Sequence, residues 1–129
     1  AVPAPEIVDP APAAPGSWCR TIEADSRLLF RFSALTFNAH RIHYDRPYAS
    51  EEEGYPGLVV HGPLVAVLLA DLVRRNTPQL IEAFSFRGKA PLFDLTPCRL
   101  KGRLEENKVE LEAYGPEGRV TMAATAKLA

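Results

Sequence analysis

The three histidines of this chain all lie between positions 40 and 61. His40 and His43 stand three positions apart in FNAHRIHYDRPY and are followed by Asp45, and His61 comes soon after in GLVVHGPL. Histidine titrates near neutral pH, so a single imidazole can take up a proton and return it within one turnover. Gathered in so short a stretch, these side chains indicate an acid–base catalytic site.

A metal site and a purely structural pair are the other interpretations of this spacing. His40 and His43 could share one helical face and bind a metal, but only Asp45 stands at a usual ligand spacing, and His61 opens a different element. We therefore expect no metal. Two loop histidines with ordinary hydrogen bonds remain the structural alternative.

The sequence His61-Gly62-Pro63 begins a long apolar run. The N-terminus of a buried helix offers unpaired backbone N–H groups and a positive dipole end, which can bind a developing oxyanion. Pro63 cannot donate, so Gly62 N–H and Leu64 N–H are the candidate donors, and glycine lets a substrate approach closely. A plain turn before a core helix is the alternative. Beside a histidine, such a tip suits proton removal alpha to a thioester carbonyl.

Composition argues against several classes of protein. Fifteen basic residues against sixteen acidic ones, with no basic block, do not make a nucleic-acid-binding surface. No apolar run reaches the roughly 18 residues that a membrane span needs. Cys19 and Cys98 fit no metal spacing, and we expect buried or half-buried thiols in a reducing compartment, the cytoplasm or the mitochondrial matrix of a eukaryote. The length of 129 residues suits one folded domain.

The first fifteen residues hold five prolines and five alanines, which favours an extended tail or an interdomain linker over residues 1–16. A single domain is expected over 17–129. Its first part predicts strands at SWCRTIEA and LLFRFSAL, then short helical turns and loops over 33–53.

The second part predicts one helix and several strands. GPLVAVLLADLVRR is apolar on every face, which predicts an almost wholly buried helix from 63 to about 75. Strands are expected at IEAFSFRG, around CRLKGRLE, at KVELEAYG and at RVTMAATAKL, the last two joined by a turn at PEG. The fold class is therefore α+β, with an antiparallel sheet of about five strands around one long helix.

FSALTFNAHRIHYDRPYA and EGYPGLVVHGPL resemble the MaoC-like hydratases and dehydratases of the hotdog superfamily. RGKAPLFD adds to the likeness, which is strongest to the branch of 3-hydroxyacyl-thioester dehydratases and of mesaconyl- and itaconyl-CoA hydratase-like proteins. The resemblance runs from about Trp18 to the C-terminus and implies the hotdog fold. It also implies a single hotdog from a branch that often carries two in tandem.

The wider family's motif reads Asp-x-Asn-Pro-x-His-x-Asp. With its last two named residues on His43 and Asp45, its first Asp falls on Asn38, its Asn on His40 and its Pro on Arg41. The resemblance therefore implies His43 as the catalytic imidazole, while the catalytic carboxylate is replaced by an amide that cannot carry a proton.

The same resemblance implies Gly62 as the oxyanion donor, with His61 orienting the turn beside it. Asn38 is expected to hold water or substrate. Either His43 carries both protons, or His40 or Asp45 supplies the second group. Arg41, Arg46 and Arg87 are candidates to meet CoA phosphates, although solvated surface arginines are the simpler interpretation. For a dicarboxylic acyl group, Arg31 or Arg87 is the candidate cation.

These expectations describe a hydro-lyase that interconverts a 2-enoyl-CoA and a 3-hydroxyacyl-CoA without metal or redox cofactor. The acyl-CoA substrate and a second hotdog, in a homodimer or a mixed pair, are the expected partners, with no nucleic acid and no membrane. A hotdog thioesterase using Glu51, Glu52 or Glu53 to activate water is one alternative. A non-catalytic acyl-binding hotdog is the other.

Overall fold

A computed structural model describes residues 15–129, apart from the side chain of Glu117. The expected linker over 1–16 therefore lies almost wholly outside the described residues. Five antiparallel strands form one sheet in the order β1-β3-β4-β5-β2. Their bounds are β1 Ser17–Glu23, β2 Ile81–Gly88, β3 Pro97–Glu105, β4 Lys108–Tyr114 and β5 Val120–Leu128.

The strands in the second half of the chain lie where the sequence predicts them. Val109, Leu111 and Ala113 are buried on one face of β4, opposite Gly102 and its neighbours on β3. A 3-10 turn over Pro116–Gly118 joins β4 to β5, as the PEG sequence indicates. The predicted α+β fold, an antiparallel sheet packed on one long helix, is confirmed.

The prediction of a strand at LLFRFSAL is wrong. This stretch lies in helix α1, Ser26–Leu35. The Asp25 side chain caps it by accepting a hydrogen bond from Leu28 N–H at 2.8 Å. Leu29 and Ser33 are buried one helical turn apart, so the helical period of the inward side chains prevails over the aromatic and branched composition.

Helix α2, Gly62–Asn76, packs on the sheet and forms the centre of the core. Six of its residues are buried: Leu64, Val65, Ala66, Leu69, Leu72 and Val73. The prediction of almost complete burial is nevertheless wrong for one face, where Pro63, Val67 and Arg74 are exposed and Val67 is 55% exposed. The reason is geometric, because one sheet covers only one side of a helix.

The segment between the helices is irregular, as expected from its polar sequence. A 3-10 turn covers Arg41–His43 and a π-helical turn covers Tyr48–Glu52. Cys98 is buried and Cys19 half-buried, as predicted. No helix within residues 15–129 has both the length and the apolar character that crossing a membrane requires.

The Asp94 side chain fixes the irregular segment through hydrogen bonds to two of its parts. It is fully buried, accepts hydrogen bonds from both terminal nitrogens of Arg46, and accepts another from Leu58 N–H at 2.9 Å. Asp94 N–H in turn donates to Leu58 O. A side chain at Gly57 would place Cβ 2.7 Å from Asp94 Oδ1, so only glycine fits there. The carboxylate thus joins the two segments that carry the histidines.

We expect Asp94→Ala to lower the free energy of unfolding by about 2–4 kcal/mol, because Leu58 N–H loses its buried acceptor and Arg46 its partner. Urea denaturation measures this loss. Glu105→Ala is the matched control, since it removes an acidic partner from the exposed pair with Arg103 and should cost under about 1 kcal/mol. Equal losses in the two variants would show that Asp94 is not an anchor.

Candidate active site

His43 ends the 3-10 turn and is buried, with 8% of its surface exposed. Its Nδ1 lies 2.7 Å from Val59 O. A carbonyl oxygen only accepts, so Nδ1 carries the hydrogen and the neutral ring presents a lone pair at Nε2. Val59 N–H donates to Ile42 O at 2.9 Å, so the strand-like segment before α2 orients the imidazole through two bonds. This ring is therefore prepared to act as a base.

Burial lowers the pKa of His43 below its usual value near 6.5. The hydrogen bond to Val59 opposes this shift, and the neighbouring His40 adds to it. Desolvation dominates because the protonated ring would be a cation in a poorly hydrated place. The result is a neutral imidazole at physiological pH, with its acceptor nitrogen free.

His61 lies directly against His43. The two ring centroids are 3.8 Å apart and the planes differ by 16°. His61 is fully buried, its Nε2 lies 2.7 Å from Ser33 Oγ, and its Nδ1 has no hydrogen-bond partner among the described residues. Burial, with His43 adding to it, lowers the pKa of His61 to about 4. The His61 ring is thus uncharged beside His43, and His61 is also the N-cap residue of α2.

His40 and Asn38 lie at the outer side of His43. The exposed His40 ring stands edge-on to His43, with centroids 5.9 Å apart. The ring Nδ1 of His40 accepts a hydrogen bond from Ile42 N–H, and the backbone N–H of His40 donates to Asn38 Oδ1 at 3.1 Å. The three histidines therefore form one continuous row of rings, with Asn38 beside its outer end.

Asp45 and Arg41 pair with each other on the surface. Arg41 Nη2 lies 2.8 Å from Asp45 Oδ2, and the guanidinium also lies over the Tyr48 ring. The hydrogen bonds from Arg41 and from Tyr48 N–H lower the pKa of Asp45. This carboxylate therefore stays ionised near neutrality and is poorly suited to carry a proton.

Gly62 opens α2 directly after His61 and is exposed. A Cβ built at this position meets no atom within 4 Å, so the space beside the helix tip is open. The first N–H groups of a helix have no intrahelical acceptor. Gly62 N–H thus starts the helix next to the histidine row, where a ligand oxygen can approach the backbone.

An open, largely apolar cavity of about 340 Å³ lies against α1 and the residues that follow it. It shares Ser33 and Asn38 with the site. Its lining residues are Phe30, Ser33, Ala34, Phe37, Asn38, Ala39 and Tyr44. Phe37 is 95% exposed and has a positive φ of 54°, so an apolar side chain is held at the rim by an uncommon backbone conformation.

The other charged candidates are exposed or are paired with other residues. Arg31 and Arg87 are exposed, and neither lines the cavity. Arg46 binds the buried Asp94, which gives it a structural role. The acidic residues at 51–53 are exposed, and Glu53 accepts a hydrogen bond from Tyr48. Within residues 15–129 no group of three metal-ligating side chains is close enough to hold an ion.

Two residues of the site were missed from the sequence. Ser33, which bonds His61, is a lone polar residue on the inward face of a helix that had been predicted as a strand. Asp94, which anchors the site, is the one charged residue in APLFDLTPC. A polar residue within a largely apolar stretch was the available signal, since burial of such a group requires a partner.

Residues 3–94 match the family described as hydroxyacyl-thioester dehydratase type 2. The chain is 61% identical over 127 residues to the mesaconyl-C(4)-CoA hydratase of Chloroflexus aurantiacus, covering 98% of this chain and 45% of that protein. The chain spans less than half the length of the curated relatives it matches.

Solved structures share the fold at low sequence identity. An (R)-hydratase of A. caviae involved in PHA biosynthesis superimposes with a TM-score of 0.77 at 17% identity, over 87% of this chain and 92% of that one. The ChsH1-ChsH2 complex of Mycobacterium tuberculosis gives a TM-score of 0.76 at 16% identity, over 88% and 94%. The fold is therefore the hotdog, and the chain belongs to the hydroxyacyl-thioester dehydratase type 2 family.

Proposed function

We propose that this chain is the catalytic hotdog of a hydro-lyase that adds water reversibly to a 2-enoyl thioester. The observation that carries the proposal is the buried, neutral His43, whose Nδ1–H is held by Val59 O so that Nε2 is left as a base. Family membership supports the same chemistry.

In the hydration direction, His43 Nε2 takes a proton from water while the water oxygen bonds to the β carbon of the enoyl group. Electrons move onto the thioester oxygen, and Gly62 N–H at the positive end of α2 stabilises the resulting enolate. The open space beside Gly62 supports this placement of the carbonyl. Asn38 orients the water through its amide.

The α carbon then takes a proton to complete the addition. We assign this second transfer to His43 as well, because its imidazolium holds the proton just removed from water. Asp45 is a poor donor, since its hydrogen bonds favour the ionised form. His40 is exposed and its Nδ1 already accepts from Ile42 N–H, so its role is to support the turn. If one imidazole serves both steps, the hydroxyl group and the α proton must add to the same face of the double bond.

The proposed substrate is a CoA thioester, and a short dicarboxylic acyl group is the first candidate because the C. aurantiacus relative is a mesaconyl-C(4)-CoA hydratase. Neither a metal nor a redox cofactor is needed for this chemistry. Arg31 and Arg87 do not line the cavity of this chain.

The direct test is a panel of enoyl-CoA thioesters, including mesaconyl-, itaconyl- and crotonyl-CoA. Loss of the conjugated absorbance, without release of free CoA thiol, is the expected result for at least one of them. Thiol release with the double bond intact would favour the thioesterase. The absence of both reactions, with measurable acyl-CoA binding, would indicate the non-catalytic alternative.

His43→Ala should lower kcat by about 10²- to 10⁴-fold and change KM little, because it removes the acid–base group and leaves the binding surfaces. Steady-state hydration assays measure both constants. His40→Ala is the matched change, with an expected loss of about tenfold or less. Turnover near the wild-type rate in His43→Ala would refute the catalytic assignment.

Asn38→Asp tests whether the amide is needed. We expect kcat to stay within about tenfold of the wild-type value, since a carboxylate oxygen can still accept from His40 N–H and orient water. Asn38→Ala, whose side chain has neither acceptor nor donor, should lower kcat further. If Asn38→Asp falls as low as His43→Ala, the site depends on a neutral amide and our water-orienting role is wrong.

Gly62→Ala separates substrate access from folding. The added methyl group meets nothing within 4 Å, so the melting temperature should be unchanged or slightly raised. It would occupy the space assigned to the thioester carbonyl, and kcat/KM should fall about 10- to 100-fold. A stable variant with full activity would show that the carbonyl binds elsewhere.

We also propose that the chain works as a pair of hotdogs. The supporting features are the edge strand β2, where Phe86 is 51% exposed, and the exposed face of α2 around Val67. Unpaired sheet edges are usually protected or covered, and contiguous exposed apolar surface is typical of interaction sites. A homodimer would continue β2 into its symmetry mate, and a mixed pair would do so with a second hotdog.

Sedimentation equilibrium of the active chain should give about twice the monomer mass of 14.2 kDa. Phe86→Lys should shift the protein toward the monomer, because it places a charge on the proposed edge. An active protein that sediments as a monomer at assay concentration would contradict the proposal.

A further inference from the structure

His61 has a ring-to-ring contact that capping a helix does not require. Its imidazole lies flat on His43, at 3.8 Å between centroids, with both rings in the protein interior. Ser33 Oγ holds Nε2 at 2.7 Å, and the Phe32 ring meets His61 edge-on at 4.9 Å. Its plane is therefore fixed by two side chains of α1.

Proton transfer would make His43 an imidazolium in this poorly hydrated place. Among the described residues no carboxylate forms a hydrogen bond with either ring, so no charged side chain compensates the imidazolium. The titratable groups that face His43 are His40, edge-on, and His61, stacked. On the same turn, Asp45 and Arg41 pair with each other. The π face of a neutral aromatic ring attracts a cation.

We propose that His61, oriented by the Ser33 hydroxyl, is a positioning residue whose neutral ring fixes the plane of His43 and stabilises its imidazolium form. This inference rests on the proposed hydro-lyase function, in which His43 carries the proton. The pKa of His61, lowered by burial to about 4, keeps that ring uncharged while His43 is protonated. A charged His61 would instead repel a cation stacked on it.

His61→Phe and His61→Leu form a matched pair, since both are apolar and only phenylalanine keeps a π face. NMR titration of His43 gives a readout that does not depend on turnover. We expect the pKa of His43 to be about half to one unit lower in His61→Leu than in His61→Phe. The kcat for hydration should be about tenfold lower in His61→Leu, with similar KM values.

Ser33→Ala tests the other contact and removes only one hydroxyl group. It should lower kcat about three- to tenfold in the wild-type background, because the His61 ring loses its orientation. In the His61→Phe background it should have no effect, since phenylalanine cannot bond Ser33. Ser26→Ala, an exposed position on the same helix, is the control and should leave kcat unchanged.

Equal His43 pKa values in His61→Leu and His61→Phe would overturn the proposal. So would an equal effect of Ser33→Ala in both backgrounds. If the larger phenylalanine prevents folding, equal kcat values for Ser33→Ala and Ser26→Ala in the otherwise unchanged chain would overturn it instead. The predicted pKa difference in a protein that hydrates no enoyl thioester would support the stacking and refute the hydro-lyase function. The two failures are therefore distinguishable.

Discussion

The buried Asp94 carboxylate is the constraint on which the site depends. It accepts from Arg46, four residues before the end of the histidine-rich FNAHRIHYDRPYAS stretch, and from Leu58 N–H, three residues before His61. A fully buried carboxylate must be compensated, so the two segments cannot separate without exposing it or leaving it unpaired. Residues 40–46 and 58–61 are thereby fixed to each other before any substrate is present.

From this anchor, a short series of bonds leads to the reactive nitrogen. Val59 N–H donates to Ile42 O, and Val59 O accepts from His43 Nδ1–H. His61 follows two residues later and places its ring on His43. The His43 tautomer is thus set by backbone geometry, whereas many catalytic histidines are oriented by a carboxylate. An uncharged orienting group leaves desolvation to dominate, and this explains why burial lowers the pKa of His43.

Much of the fold was predictable because β3, β4 and most of β5 alternate between buried and more exposed side chains, and because turn residues separate β4 from β5. The exceptions have physical causes. LLFRFSAL has the composition of a strand, yet Asp25 caps it as a helix whose inward residues include Ser33. Val67 is apolar and nevertheless exposed on α2, since the sequence alone does not show which face the sheet leaves uncovered. In the site, the grouping of the histidines could be inferred from spacing and resemblance. The stacking of His61 on His43 could not, because it depends on the Asp94 anchor and on a helix that was predicted as a strand.

The central claim is that one imidazole, His43, carries both protons and works from one side of the substrate. The test is to hydrate, in D₂O, a trans-2-enoyl-CoA that the enzyme accepts as a substrate. NMR of the product then gives the relative configuration of the α deuterium and the β hydroxyl. Our account predicts syn addition, with deuterium and hydroxyl on the same face. Anti addition would contradict it, because a second proton carrier on the opposite face would then be required.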